Sequence, residues 1–390
     1  MTPGARVAAA IAIIDQIKDG TLAEAALSRW ARSSRFAGSK DRAAIRDHVF
    51  DVLRARRSLG DGSGRDLMAR LLARDGEDPE RYFTGQGHAP RSLGPAERSM
   101  LSAAPDLSEA AAHDMPDWLW PHWVKSLGVD AKPAALVLQR RAPVFLRINT
   151  RRASAESVIS SLAAEDIAAA PHDSVPGCLR VMQNARRIKT SQAFAQGWIE
   201  LQDASSQFAV KAVAVPPAAR VLDYCAGGGG KALAFADLYD AAVFAHDVAP
   251  QRMVDVPERA ARAGVKITRL ATADLAGQPP FDVVFCDAPC SGSGTWRRTP
   301  DAKWALTQQR LMDLQQAQSE VLETAAGLVA PGGNLVYATC SVLASENHQR
   351  VDAFIEAQPD WQIKEQRQLL PDDAGDGFFL CNMIRKSHNL

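Results

Sequence analysis

"VLDYCAGGGGKA", Val221 to Ala232, is the stretch that decides the fold. A short apolar run stops at four consecutive glycines, Gly227 to Gly230, and the chain resumes in the helical pattern "GKALAFADLYD". Strand, glycine turn and helix open a βαβ unit, whose turn lets backbone approach a ligand and whose helix N-terminus offers free N–H groups. Gly227-x-Gly229-x-x-Ala232 fits a dinucleotide fingerprint. A Walker loop is excluded, because Cys225 stands where its first glycine belongs and Ala232 where Ser or Thr belongs. Downstream the rhythm repeats. "AAVFAHD", "ITRLATAD", "FDVVFCD" and "GNLVYATCS" are apolar runs, and "APQRMVDVPERAARAG" and "TQQRLMDLQQAQSEVLETAAGLV" are helical stretches among them. Such alternation predicts parallel strands with crossover helices, a doubly wound α/β domain over 206–390.

In such a sheet ligands bind at the carboxyl ends of the strands. Asp247 ends the second strand, twenty residues after Gly227, where an acid accepts hydrogen bonds from the ribose hydroxyls of an adenosine cofactor. Cys225, Ala226, the four glycines and Arg252 complete that candidate set, and Asp274 at the third strand's end is expected at the adenine edge. These features admit NAD or S-adenosyl-L-methionine. The fourth strand separates them: "FDVVFCDAPCSGSGTWRRTPDAKW" (281–304) runs into Asp287-Ala288-Pro289-Cys290, which hydride transfer does not need. Pro289 stiffens the turn and aims Asp287 and Cys290 at the crevice. The fifth strand ends in "YATCS", bringing Cys340 to the same edge. Cys286, inside its strand, reads as a small buried hydrophobe.

Outward from this domain the chain changes character. At 390 residues two or three domains are expected. Residues 1–130 read as all-helical, with apolar residues at three- and four-residue steps, Ser39 as a candidate cap, and three tryptophans in "MPDWLWPHWVKSLG" packing the end. Residues 131–205 read as a small α+β subdomain with a basic face. Lys132, Arg140, Arg141, Arg147, Arg151 and Arg152 fall there within an acid-free stretch. With Trp296, Arg297 and Arg298 they are candidates for holding an RNA backbone and stacking on its bases. The 45 basic and 45 acidic residues cancel, which argues against a polyanion-coating protein but not against a local basic groove. No apolar run approaches a membrane span, and the amphipathic start does not read as a signal peptide. Six scattered cysteines without zinc spacing argue against a metal site or disulfide framework and for a cytoplasmic, reduced chain. No motif demands assembly, so a monomer is expected.

The motifs together resemble the Sun-family (Fmu-type) RNA cytosine-5 methyltransferases. The carriers are "LRINT" (146–150), "LQDASSQ" (201–207), "VLDYCAGGGGK" (221–231), "CDAPCSGSGTWRRTPDAKW" (286–304), "LVYATCSVLASEN" (335–347) and "GDGFF" (375–379). The helical front is similar to the NusB-like RNA-binding domain of the bacterial 16S rRNA branch. The resemblance implies a class I S-adenosylmethionine-dependent fold with a seven-stranded, mostly parallel sheet. It implies methyl transfer to C5 of a cytosine in RNA, 16S rRNA first and transfer RNA as the alternative. It also implies Cys340 as the nucleophile at C6, Cys290 in product release, and Asp287 on the cytosine edge and near the cofactor. Lys231 is implied to orient Asp287 or tune a thiol. A non-catalytic RNA-binding factor with a degenerate fold is the competing class; the retention of Asp287 and Cys340 counts against it. One departure stands out: Gly227-Gly228 replace the family's Ala-Pro and Ala232 its Thr, which predicts a floppier loop.

Overall fold

The computed structural model describes residues 1–103 and 105–386. The chain divides into two compact units: Met1–Arg141 with Trp296–Leu306, and Ala142–Thr295 with Thr307–Leu390.

The first unit is helical: α1 (Pro3–Lys18), α2 (Ala23–Ser33), α3 (Ser39–Arg54), α4 (Gly64–Arg74), α5 (Pro95–Ser102), α6 (Glu109–Ala112), α7 (Trp120–Leu127) and α8 (Ala131–Leu138). The apolar stripes of α1 to α4 close on one core that includes Val7, Ile13, Ile45, Val49, Leu67 and Leu71. Ser39 is the first helical residue of α3 and not its cap. The cap is Gly38, whose N–H donates to the Asp41 carboxylate at 3.2 Å. The expected boundary after residue 130 moves, because α8 belongs to this unit and Arg141 is its last residue before the division. The stretch Trp296–Leu306 also joins it. Trp296 is fully buried and stacks on Trp123, ring centroids 6.0 Å apart. The Trp304 indole donates to the Leu53 carbonyl at 2.7 Å. Arg54 donates to the Arg297 carbonyl at 2.7 Å.

The second unit begins with β1 (Val144–Ile148), α9 (Ala155–Ala164), β2 (Ala169–Pro171), β3 (Cys178–Val181), α10 (Gln192–Ala195) and β4 (Ile199–Leu201). Its four strands form an antiparallel sheet in the order β2-β3-β1-β4. Then come α11 (Ala204–Lys211), β5 (Ala219–Asp223), α12 (Gly230–Leu238), β6 (Ala241–His246), α13 (Val256–Ala263), β7 (Ile267–Leu270), α14 (Thr272–Leu275) and β8 (Phe281–Asp287). After α15 (Pro300–Ala305), which lies in the helical unit, the chain returns as α16 (Gln308–Ala326), β9 (Val329–Thr339), α17 (His348–Ala357), β10 (Trp361–Leu369) and β11 (Phe378–Arg385). These strands form a seven-stranded sheet in the order β10-β11-β9-β8-β5-β6-β7. The run from β9 to β7 is parallel, and β11 is antiparallel to both its neighbours. The chain lays β6 and β7 on one side of β5 and then crosses to place β8 on the other. The strand order therefore reverses between β5 and β8, the point where open α/β sheets bind ligands. Buried strands such as β8, with Phe281, Val283, Val284, Phe285 and Cys286 inaccessible, show why the sequence runs apolar without alternation there.

Candidate active site

Three strand ends meet at the reversal point. Register pairs Asp223 of β5 with Phe285 of β8, and Asp287 of β8 with Ala338 of β9. The loops that follow these strands carry the glycines, Cys290 and Cys340, as the strand-end reading requires. The sulfurs of Cys290 and Cys340 lie 3.4 Å apart. Its hydrogen bond with Cys340, then burial, push the Cys290 thiol well above its ordinary value, so this sulfur keeps its proton. The Lys231 ammonium, one residue into α12, stands 2.6 Å from the Asp287 carboxylate. Burial pulls that ammonium down, but the attraction of Asp287 outweighs it and the net shift is upward. Lys231 also lies 5.4 Å from the centroid of the Phe378 ring, in the "GDGFF" motif. Cys286 is inaccessible in the strand core, the small-hydrophobe role read for it.

A buried polar network fixes the two thiol loops. The Glu346 carboxylate accepts from the Ser291 N–H at 2.8 Å, from the hydroxyls of Ser291 and Ser341 at 2.5 Å, and from Gln318 at 3.1 Å. Thr339 donates to Asn347 at 2.6 Å, and Asn347 donates to the Ser341 carbonyl at 2.9 Å. Gly294 N–H donates to the Cys340 carbonyl at 2.9 Å. Glu346 and Asn347 sit in a motif quoted from the sequence, yet no role was read for them. An acid and an amide six and seven residues after a strand-end cysteine carry no pattern that distinguishes a loop brace from a surface pair.

At the ends of β5 and β6 lies a cavity of about 300 Å³ lined by Tyr224, Cys225, His246, Asp247, Val248 and Arg252, with Thr272, Pro289 and one face of α16 completing it. Asp247 is buried; it accepts from the Gly227 N–H at 2.8 Å and pairs with Arg252 at 3.1 Å. His246 bridges the Tyr224 carbonyl at 2.7 Å and the Thr272 hydroxyl at 3.0 Å. Val248 was not singled out in the sequence; it is 83% exposed at this cavity, an apolar face next to the strand-end acid. The Asp274 carboxylate caps α14, accepting from the Ala271 N–H at 3.1 Å, and the cavity takes Thr272 from that strand end instead. Asp223, also not singled out, is buried at the end of β5, where one carboxylate oxygen accepts from the Ala232 N–H at 2.9 Å. The other oxygen is buried without a partner. Burial pushes this carboxyl up to about 7.

The glycine loop is braced where the departure from Ala-Pro predicted looseness. Gly227 and Gly229 have φ of +52° and +77°, a region that favours glycine. A Cβ at Gly227 would lie 3.1 Å from an Arg252 nitrogen, and one at Gly228 would lie 3.2 Å from an Arg259 nitrogen. Arg259, from α13, donates to the Gly228 carbonyl and to Glu200 at 3.0 Å. Glu200, buried on β4, also pairs with Arg262. Two guanidiniums thus occupy the space that bulkier loop residues would fill.

The basic candidates have other work. Arg147 is buried, ion-paired with buried Asp237 and donating to Gln202 at 2.7 Å. Arg151 donates to the carbonyls of Asp237 and Tyr239 at 2.9 and 2.6 Å, and Arg152 to those of Gln196 and Arg262 at 2.7 and 3.2 Å. The acid-free stretch therefore joins the small sheet to the larger one through residues distant in sequence, and Arg147 is not on a basic surface. Trp296 cannot stack on a base, because Trp123 and full burial hold its ring; Arg297 is likewise buried and Arg298 half-buried.

The reversed parallel sheet with one antiparallel strand and a glycine loop after its first strand is the class I S-adenosylmethionine-dependent methyltransferase fold. Residues 210–384 match the family model for 16S rRNA methyltransferase RsmB/F, and residues 115–187 match the ferredoxin-like domain of RsmF/B-like methyltransferases. A ribosomal RNA small subunit methyltransferase B from Citrobacter koseri is 34% identical over 285 residues. That alignment spans 70% of this chain and 66% of the relative, just under two thirds of its length. The solved structure of PH0851 superposes with a TM-score of 0.78 at 21% identity, covering 98% of this chain and 99% of that one. NSun6 from Pyrococcus horikoshii, solved with SFG, gives 0.62 at 16% identity over 70% of this chain and 98% of that one. The chain belongs to the RsmB/F, or Sun, family.

Two outcomes follow from this geometry. Folding takes up a proton at Asp223 between its ordinary 3.8 and about 7, so its contribution to stability falls as pH rises through that window and is level above it. Asp223→Asn should therefore gain on the parent by up to roughly 1.4 kcal/mol per pH unit there, read by urea unfolding; a pH-independent difference would contradict the assignment. Arg259→Met should speed amide hydrogen exchange at Gly228 to Gly230 about tenfold, the loss of one charged hydrogen bond; unchanged exchange would show that the loop holds itself.

Proposed function

We propose that this chain methylates C5 of a cytosine in small-subunit ribosomal RNA, using S-adenosylmethionine. The observation that carries the reading is the contact of the Cys290 and Cys340 sulfurs, 3.4 Å apart, at the edge where Lys231 pairs with Asp287. Cytosine C5 is a poor nucleophile, and a thiolate added at C6 makes it enamine-like. The family membership and the name of the Citrobacter koseri relative support ribosomal RNA as the substrate class.

The residues at the cavity suit the cofactor. The glycine cradle and the buried Asp247 offer close backbone approach and an acceptor for hydroxyl groups. Cys225, Ala226 and Gly227 to Gly230 would hold it from the loop side, Asp247 and Arg252 from the β6 side, with Asp287 nearby and Val248 as an apolar face. Bound there, S-adenosylmethionine supplies an electrophilic methyl group for C5.

The chain's own residues do the rest. The Cys340 sulfur adds to C6 as its thiol proton passes to N3; the S–C6 bond forms and the ring electron pair moves toward C5. Asp287, held by Lys231, accepts hydrogen bonds from the cytosine N4 amino group and protonated N3, which stabilises the adduct. Once C5 is substituted its proton leaves to a base, the C5–C6 double bond re-forms, and the S–C6 bond breaks to return Cys340. Cys290, kept protonated beside that sulfur, assists release. The target base reaches such a crevice only when unpaired or flipped.

The test is transfer of labelled methyl from S-adenosylmethionine to RNA, followed by nucleoside analysis. Label in 5-methylcytidine is expected, and label on any other nucleoside overturns the reading. Cys340→Ala should abolish transfer, and Cys290→Ala should accumulate a denaturant-resistant protein–RNA adduct. An adduct with Cys340→Ala instead would reverse the two roles.

A further inference from the structure

A second concave site lies wholly within the helical unit. A cleft of about 440 Å³ is walled by Lys18, Arg56, Arg57, Asp117, Trp118 and Trp304, with Gly60 to Gly62 along its edge. That volume is within the range of small-ligand clefts, about 300–1,000 Å³. Its charges are unequally committed. Arg57 grips both carboxylate oxygens of Asp117, at 2.7 and 2.9 Å, and the Lys18 ammonium donates to the Gly62 carbonyl. Arg56 makes no ion pair or hydrogen bond among the described residues; its guanidinium lies 5.6 Å from the centroid of the Trp304 ring. Burial lowers the Arg56 guanidinium from its ordinary value, and the charge of Asp61, on the same cleft, opposes that.

A half-buried cation lacking a partner is costly in the protein alone and gains from an anion brought to it. Trp304 is spoken for: Lys303 and Arg56 both lie over its ring, and its indole N–H is bonded to Leu53. Trp118 is half-buried, and the His122 ring approaches it edge-on at 6.3 Å. A flat aromatic face and an unpaired guanidinium in one cleft match the two halves of a nucleotide, a base to stack and a phosphate to pair.

We propose that this cleft binds one unpaired nucleotide of the RNA substrate, with its base on Trp118 and its phosphate on Arg56. The inference rests on the RNA-methylation reading above and gives the helical unit a defined contact. The basic stretch at 147–152 and Trp296, which had been the candidates for that role, are committed elsewhere. The stretch that carries Cys290 continues, 14 residues on, into Trp304 of the cleft wall.

The test uses the full chain and a short single-stranded RNA containing one target cytosine, titrated by fluorescence at several salt concentrations. Arg56→Gln should weaken binding about three- to tenfold and reduce the salt slope by about one. Trp118→Leu should weaken binding about fivefold or more and remove part of the RNA-induced quenching. Thermal melting confirms that both variants are folded, and a melt matching the parent is required of at least one. Parent-like affinity and salt slope in a folded variant overturns the cleft. Methyl transfer by the parent to the same RNA is read in parallel: a parent that transfers methyl while the variants bind normally sinks the cleft alone, and a parent that transfers none sinks the RNA-methylation reading.

Discussion

The ion pair between Lys231 and Asp287, 2.6 Å long, ties together the two halves of the site. Lys231 belongs to the helix that starts at the glycine loop, and Asp287 is the last residue of the strand that leads to Cys290. The Lys231 side chain is 13% exposed and that of Asp287 32%, so losing Asp287 would strand a largely buried ammonium at the sheet's edge, a larger penalty than the net worth of the pair. The pair exists only because β8 is laid against β5, on the side opposite β6 and β7. Topology thus sets the chemistry: the reversal of strand order brings a lysine from one crossover beside an acid from another.

A different device brings the thiols together. Cys290 and Cys340 follow adjacent parallel strands, and Glu346 with Ser291, Ser293, Ser341 and Asn347 holds both loops in one hydrogen-bonded block. Small hydroxyl residues suit this work, because a loop packed under a strand end has backbone groups that must be satisfied without bulk. The two sulfurs then differ in environment while nearly touching. The contact with Cys340 and burial raise the Cys290 thiol well above its ordinary value.

Much of this was legible in the sequence because strand ends are written in local patterns. The glycine run after "VLDYCA", the acid twenty residues on, and Asp-Ala-Pro-Cys after an apolar run all fell where parallel strands end. What failed depends on partners far away in the chain. Arg147 looked like part of a basic face, yet its ion partner Asp237 is ninety residues distant. Trp296 looked like a stacking surface, yet Trp123 covers it. The glycine loop looked loose, since nothing near it announces that Arg252 and Arg259 from the following crossover fill the gap. Charge clusters and aromatic residues carry no label separating surface from interior, whereas strand–turn–helix chemistry does.

The central claim is that Cys340 forms the bond to the cytosine ring. RNA carrying 5-fluorocytidine at the target position blocks loss of the C5 substituent and holds the enzyme on the base after methyl transfer. Digestion of that complex and peptide mass spectrometry should place the modified nucleotide on the peptide containing Cys340. Attachment to the Cys290 peptide, or full recovery of unmodified protein under conditions where the parent methylates ordinary RNA, would contradict the account.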